Sequence, residues 1–208
     1  MTPGRRFTAI DVASVVMAVS MFYLGTVHDG LILNTVVCGV ICLVPPVLRY
    51  SGVAELPTPI AVMVLVAPWL HGFGLALGLY ISHPDYDSIT HSVSSMVITV
   101  LVFYALTAFQ HYGSGNVNFA GRGLALMTGL ISISFGVYWE VIEYLSDVFT
   151  TSVTQYSPFD TLSDLVCDSI GASIGSAWAG FYMRNRSAAE VMDSFHFGDA
   201  IMDLVRKG

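Results

Sequence analysis

Residues 88–111 read SITHSVSSMVITVLVFYALTAFQH, and no Asp, Glu, Lys or Arg interrupts the chain from Ser88 to Gly121. A bilayer core about 30 Å thick is crossed by about 20 mainly apolar residues in a helix, which satisfies its own backbone in hydrocarbon. The stretch between Glu55 and Asp85 is equally free of these four residue types. Working outward from these two stretches, the sequence predicts an all-α membrane protein. Its bundle of six transmembrane helices covers 8–26, 31–48, 59–81, 91–111, 123–145 and 160–183. The first span follows Arg5-Arg6 in the manner of a signal peptide, but Asp11 interrupts its start and no small-x-small cleavage site follows it. Residues 1–186 form the expected transmembrane domain. Residues 187–208 form a short amphipathic cytosolic tail, with Val191, Met192, Phe195, Ile201, Leu204 and Val205 as its apolar side.

Composition supports this reading. Of the 208 residues, 54% are hydrophobic and 11% are charged, against about 25% charged in an ordinary soluble domain. The mean hydropathy is +0.69. Disorder and a disulfide-rich secreted domain are excluded. A formal net charge of −7 argues against nucleic acid as a partner, since such proteins carry a basic footprint. Cys38, Cys42 and Cys167 are too few for a disulfide framework.

Basic residues set the expected orientation. Arg5 and Arg6 precede the first span, Arg49 follows the second and Arg122 precedes the fifth. Arg184, Arg186, Arg206 and Lys207 follow the sixth. With both termini cytoplasmic, all of them fall inside. The outer loops and adjoining helix ends then carry Asp29, Asp85, Asp87, Glu140, Glu143, Asp147, Asp160, Asp164 and Asp168. The preference for Arg over Lys in an acidic chain suits a halophilic archaeal source, where salt screens self-repulsion. Drift in a GC-rich genome is the alternative.

The outer acids fall into stripes. Asp87 and His91 are four apart and share a helix face, which Ser94, Ser95 and Thr99 continue inward. Glu140 and Glu143 are three apart, about 60° around the next helix. Asp160, Asp164 and Asp168 repeat every fourth residue and drift only about 40° per step, so all three stay on one face. Gly171 and Gly175 extend that face, and Gly129, Ser132 and Gly136 lie below the two glutamates. Small residues let membrane helices approach closely. The fifth and sixth helices are therefore expected to meet along Gly129/Gly136 and Gly171/Gly175 with their carboxylates facing each other.

An Asp at the centre of a membrane helix costs about 2.5–3.5 kcal/mol to insert. Acids this deep must face a wet cavity, share protons or bind a cation. No Lys or Arg lies on that side to compensate them. Asp87, His91, Glu140, Glu143, Asp160, Asp164 and Asp168 are the candidate ligands. One His among many carboxylates suits a divalent cation such as Mg²⁺, Mn²⁺ or Ca²⁺ better than Zn²⁺. His91, Glu140 and Glu143 are the candidate catalytic groups. Asp87 and Asp160 also fit a plain role at helix N-termini, where acids are favoured. His71 reads as packing, and Cys38 and Cys42 as small core residues.

Three stretches carry a resemblance. Tyr86-Asp87-Ser88-Ile89-Thr90-His91, Trp139-Glu140-Val141-Ile142-Glu143 and the run Asp160-Thr161-Leu162-Ser163-Asp164 through Asp168 to Ala172 resemble the YjdF-like membrane proteins. The similarity spans roughly residues 60–183. The same block is distantly similar to the VanZ-like proteins, linked to glycopeptide resistance. Those tend to show Glu-x-x-Gln and Asp…Asn where this chain keeps Glu143 and Asp168. The resemblance implies a multispanning fold and supplies no reaction. Three functions stay open. One is a metal-dependent enzyme acting on a lipid or isoprenoid-phosphate head group at the outer leaflet. Against it, no basic residue is at hand to clamp a phosphate. The second is a cation- or proton-coupled transporter, in which Asp11 would continue the path. The third is a resistance or binding scaffold without chemistry.

Overall fold

The computed structural model describes residues 7–28, 32–83, 85–113, 119, 121–149, 153–155 and 157–197. Arg5, Arg6, Asp29, Ile201, Leu204, Val205, Arg206 and Lys207 lie outside the described residues. The elements are α1 (Ala9–Val27), α2 (Ile32–Cys42), α3 (Val44–Tyr50), β1 (Ala54–Glu55), α4 (Thr58–Ala76), α5 (Leu79–Ser82), α6 (Asp85–Tyr112), α7 (Gly121–Phe149), α8 (Pro158–Tyr182), a 3-10 turn (Met183–Asn185), α9 (Ala188–Met192) and β2 (His196–Phe197). The chain is almost wholly helical. Four helices, α1, α4, α6 and α7, are long and apolar enough to cross a membrane.

Two expected spans differ in detail. The helix expected over 31–48 is divided at Leu43. Pro45 and Pro46 have no N–H to continue the ladder, so they open a new helix in its first turn instead. The helix expected over 59–81 stops at Ala76. Gly78 follows at φ +65°, a left-handed conformation that ends helices and that Gly adopts without strain.

The chain divides into two compact units. The first comprises residues 1–79 and 193–208. Within it α1, α2 and α4 pack on one another around Ala18, Met21, Cys38, Cys42 and Leu65. Two glycines permit the approach. A Cβ on Gly39 would stand 2.5 Å from the Phe22 ring, and one on Gly72 would stand 2.5 Å from Met21 Sδ. Asp11 lies at the start of α1 and is buried. Its Oδ2 accepts from Thr8 N at 2.7 Å in a reciprocal capping box. It also pairs with Arg49 Nη1 at 2.5 Å, while Arg49 Nε reaches Glu55 Oε1 at 3.2 Å. Arg49 thereby ties the start of α1 to the end of α3 and to β1, which pairs antiparallel with β2. Asp11 is thus engaged in holding the fold.

The second unit comprises residues 80–192. Here α8 packs most extensively on α6 and next on α7, and α9 seats Val191 and Met192 in the core against α6. One side of α8 buries Asp164, Asp168, Gly171, Ala172, Gly175 and Ala179. The other side exposes Leu162, Val166, Ile170 and Ile174, each more than half accessible. A continuous apolar stripe of this size is stable in lipid and a liability in water. Three of the buried hydroxyls on α6 and α7 are spent on their own backbones. Thr99 donates to Ser95 O at 2.6 Å, Thr107 to Phe103 O at 2.7 Å and Ser132 to Thr128 O at 2.7 Å.

The expected glycine seam is half correct. Gly129 and Gly136 do face α8, at Ser176 and Asp168. Gly171 and Gly175 face α6 instead. Substituents there would run into the Ser92 carbonyl and the Thr99 side chain. Four-residue spacing identifies a face of α8 but not which of its two neighbours that face meets.

Candidate functional site

Helix direction brings the acids together. α6 and α8 enter the site from their N-terminal halves and α7 from its C-terminal half. His91 lies two turns into α6, about 9 Å from its start, and Asp168 about 15 Å from the start of α8. The imidazole of His91 is the hub. Its Nδ1 stands 3.3 Å from Asp168 Oδ1 and 3.9 Å from Glu140 Oε1. Its Nε2 stands 3.5 Å from Asp87 Oδ1 and 4.0 Å from Asp164 Oδ1. The His91, Glu140, Asp164 and Asp168 side chains are at most 9% exposed, whereas Asp87 is 20% exposed at the rim.

The ligand atoms form two groups of three that share His91. Asp87, His91 and Asp164 make one, and His91, Glu140 and Asp168 the other, all within 4.8 Å of one another in each group. Glu143 and Asp160 stand outside both groups. Glu143 accepts from Trp139 Nε1 at 3.0 Å on its own helix. Asp160 sits in the first turn of α8, its N–H given to the Ser157 cap at 3.1 Å. Of the seven candidates, four therefore converge on the imidazole of a fifth, His91.

Neutral donors reach the carboxylates only in part. Ser95 Oγ donates to Asp168 Oδ1 at 3.0 Å. Gln155 Nε2 donates to Glu140 O at 3.0 Å and to its Oε2 at 3.4 Å. Two oxygens in the site, Glu140 Oε1 and Asp168 Oδ2, are buried with no hydrogen-bond donor among the described residues. Such groups are rare because a buried acceptor without a donor costs about 1–3 kcal/mol, more when charged. Four carboxylates surround one imidazole, and among the described residues no Lys or Arg pairs with any of them.

Gln155 was not legible in the sequence. It arrives through a short loop segment fixed by Asp147, which accepts from Thr154 N at 2.9 Å, Thr154 Oγ1 at 2.8 Å and Gln155 N at 2.8 Å. An acid binding the backbone seven and eight residues later leaves no periodic signature.

Fold and site together define a multi-pass membrane protein with a buried acidic centre. More particularly, the chain belongs to the family described as "Predicted membrane protein (DUF2238)", whose model matches residues 5–185. A relative in Thermotoga maritima, described as "Uncharacterized protein", is 29% identical over 119 residues, covering 56% of this chain and 59% of the relative. The alignment therefore covers under two thirds of that protein. That relative is bacterial and gives no support to a halophilic archaeal source. No solved structure matches the chain.

Proposed function

We propose that the His91 centre is a divalent-cation site of a membrane enzyme acting on a lipid or isoprenoid-phosphate head group. The observation that carries this reading is the crowding of four carboxylates, Asp87, Glu140, Asp164 and Asp168, around a single imidazole, two of their buried oxygens having no hydrogen-bond donor among the described residues. A cation is the missing counter-charge. The separations suit one. Bonds of about 2.1 Å in an octahedral shell place neighbouring ligands about 3.0 Å apart and opposite ones about 4.2 Å apart. The nitrogen-to-carboxylate distances here run from 3.3 to 4.0 Å.

A neutral imidazole has one lone pair and one N–H. The shorter contact is Nδ1 to Asp168, so Asp168 is the carboxylate that holds the ring by its Nδ1–H. Nε2 is then the metal-binding nitrogen, with Asp87 and Asp164 beside it. Mg²⁺, Mn²⁺ or Ca²⁺ suits this oxygen-rich set better than Zn²⁺. Such an ion polarises a phosphoryl oxygen and activates a bound water. Glu140, across the ring from Asp87 and Asp164, is the group that takes a proton. A conduction path is the weaker reading, because Gly171 and Gly175 press against α6 just beyond Asp168.

In the same proposal α2–α3 and α8 complete six spans with both termini cytoplasmic. Residues 187–208 form the tail, and the site opens outward. The likeness to the YjdF-like proteins is in keeping with it.

Titrating purified protein with Mn²⁺ or Mg²⁺ tests the site. A ligand at 100 times its Kd stabilises the folded state by about 2.7 kcal/mol, and Tm rises accordingly. Asp164→Asn removes most of that rise. A Tm unmoved by millimolar Mn²⁺, Mg²⁺ and Ca²⁺ overturns the assignment.

A further inference from the structure

At the far end of α7 and α8 lies a second site of opposite character. Arg122 is 18 residues before Glu140 on α7, which places it about 27 Å from the acidic centre along the helix. A groove of about 980 Å³ runs there between the start of α7 and the end of α8. Arg122 and Arg184 stand at its mouth, and Ala125, Ala177, Gly180 and Phe181 line it. Its lining is of small residues, with Ser173 and Ser176 beside the alanines and Gly180. A Cβ on Gly180 would lie 3.2 Å from that of Ala125, so the helices touch there. The Ser176 hydroxyl donates to Ala125 O at 2.5 Å. Phe181, 75% exposed, forms an apolar wall.

The two arginines are uncommitted. Both are exposed, and among the described residues neither forms an ion pair. Arg186 behaves differently, lying 4.2 Å over the Tyr182 ring and donating to Tyr182 O at 3.3 Å. The first turn of α7 contains no acid, so its positive dipole end adds to the field at the mouth. Two cations beside a groove of small, mostly apolar residues, with Ser173 and Ser176 among them, complement a phosphodiester with a hydrocarbon chain. We propose that this groove binds an anionic phospholipid of the leaflet on the arginine side. The phosphate would sit between Arg122 and Arg184, and one acyl chain would lie along Ala125, Ala177 and Gly180.

The experiment uses the full chain, purified and stripped of lipid in neutral detergent. Phosphatidylglycerol, phosphatidylcholine and inorganic phosphate are added separately, and bound lipid is counted by native mass spectrometry alongside Tm. Phosphatidylglycerol is expected to bind and raise Tm, and the other two are not. A basic residue near an anionic lipid surface contributes about 1 kcal/mol, or about fivefold, so the double variant Arg122→Gln/Arg184→Gln should bind phosphatidylglycerol about thirtyfold more weakly. Ala177→Leu fills the groove while keeping both charges, and should lower phosphatidylglycerol binding as well. Equal binding of phosphatidylcholine overturns the proposal. So does a Tm rise reproduced by inorganic phosphate alone, or unchanged phosphatidylglycerol binding by the double variant or by Ala177→Leu.

Discussion

Asp11 and Asp168 are both buried aspartates, 1% and 4% exposed, in helices without Lys or Arg. Their surroundings differ completely. Asp11 receives Thr8 N, Thr8 Oγ1, Arg49 Nη1 and Tyr50 Oη. Asp168 has Ser95 and His91 on one oxygen and, among the described residues, no donor on the other, with Glu140, Asp87 and Asp164 around the same imidazole. The first carboxylate is compensated by the protein itself and acts as a brace. The second belongs to a group of four carboxylates whose one basic partner among the described residues is the His91 imidazole. A folded protein tolerates such a charge deficit only where something else supplies the balance, which is why the second region, not the first, is read as functional.

Removing the brace gives the largest expected effect. Arg49→Met leaves Asp11 buried with its partner gone, and breaking a buried pair from one side costs about 3–5 kcal/mol. Thermal unfolding in detergent should show a fall in Tm of corresponding size. A loss below about 1 kcal/mol would mean that water already serves Asp11, and the contrast with Asp168 would dissolve.

Neutralising each acid in turn sharpens the contrast, because the signs should be opposite. Asp11→Asn gives up the attraction to Arg49 and weakens the capping box, for a loss of about 2 kcal/mol. Asp168→Asn in metal-free protein keeps an acceptor for Ser95 and removes repulsion from three neighbouring acids. Its stability should hold or rise by about 1 kcal/mol, measured by urea or thermal unfolding in the presence of EDTA. A destabilised Asp168→Asn of the same size as Asp11→Asn would make both acids structural.

Much of this contrast was legible before any coordinates. The ladders Asp87/His91 and Asp160/Asp164/Asp168 follow from helical geometry, and the cost of inserting acids in lipid directs their faces inward. Periodicity could not decide between Glu140 and Glu143. The two diverge by about 60°, enough for one to reach His91 while the other turns to Trp139. Nor could it identify neighbours, so Gly171 and Gly175 were matched to the wrong helix. The reading of 31–48 as one span missed the break at Leu43, where the two N–H groups absent at Pro45-Pro46 outweigh an otherwise apolar run. The pairing of Asp11 with Arg49 joins positions far apart in the chain and only the tertiary fold supplies it.

The smallest effect separates the two regions by function more than by stability. Each acid region has one neutral side chain at its edge: Tyr50 Oη, 3.3 Å from Asp11 Oδ2, and Gln155 Nε2, 3.4 Å from Glu140 Oε2. Deleting Tyr50 Oη removes one long hydrogen bond, and deleting Gln155 Nε2 removes its long bond together with the 3.0 Å bond to Glu140 O, each change at a partly exposed position worth about 0.5–1 kcal/mol. Tyr50→Phe should therefore lower Tm slightly and do nothing else. Gln155→Ala should lower Tm by a similar amount. It should also weaken Mn²⁺ binding about tenfold, since groups that orient the residues of a metal centre typically govern affinity by that factor or more. Measuring the Mn²⁺ midpoint in both variants distinguishes the roles. If Tyr50→Phe shifts the midpoint as far as Gln155→Ala does, the effect is general loosening. If Gln155→Ala leaves the midpoint in place, Gln155 only closes the loop, and Glu140 is positioned by α7 alone.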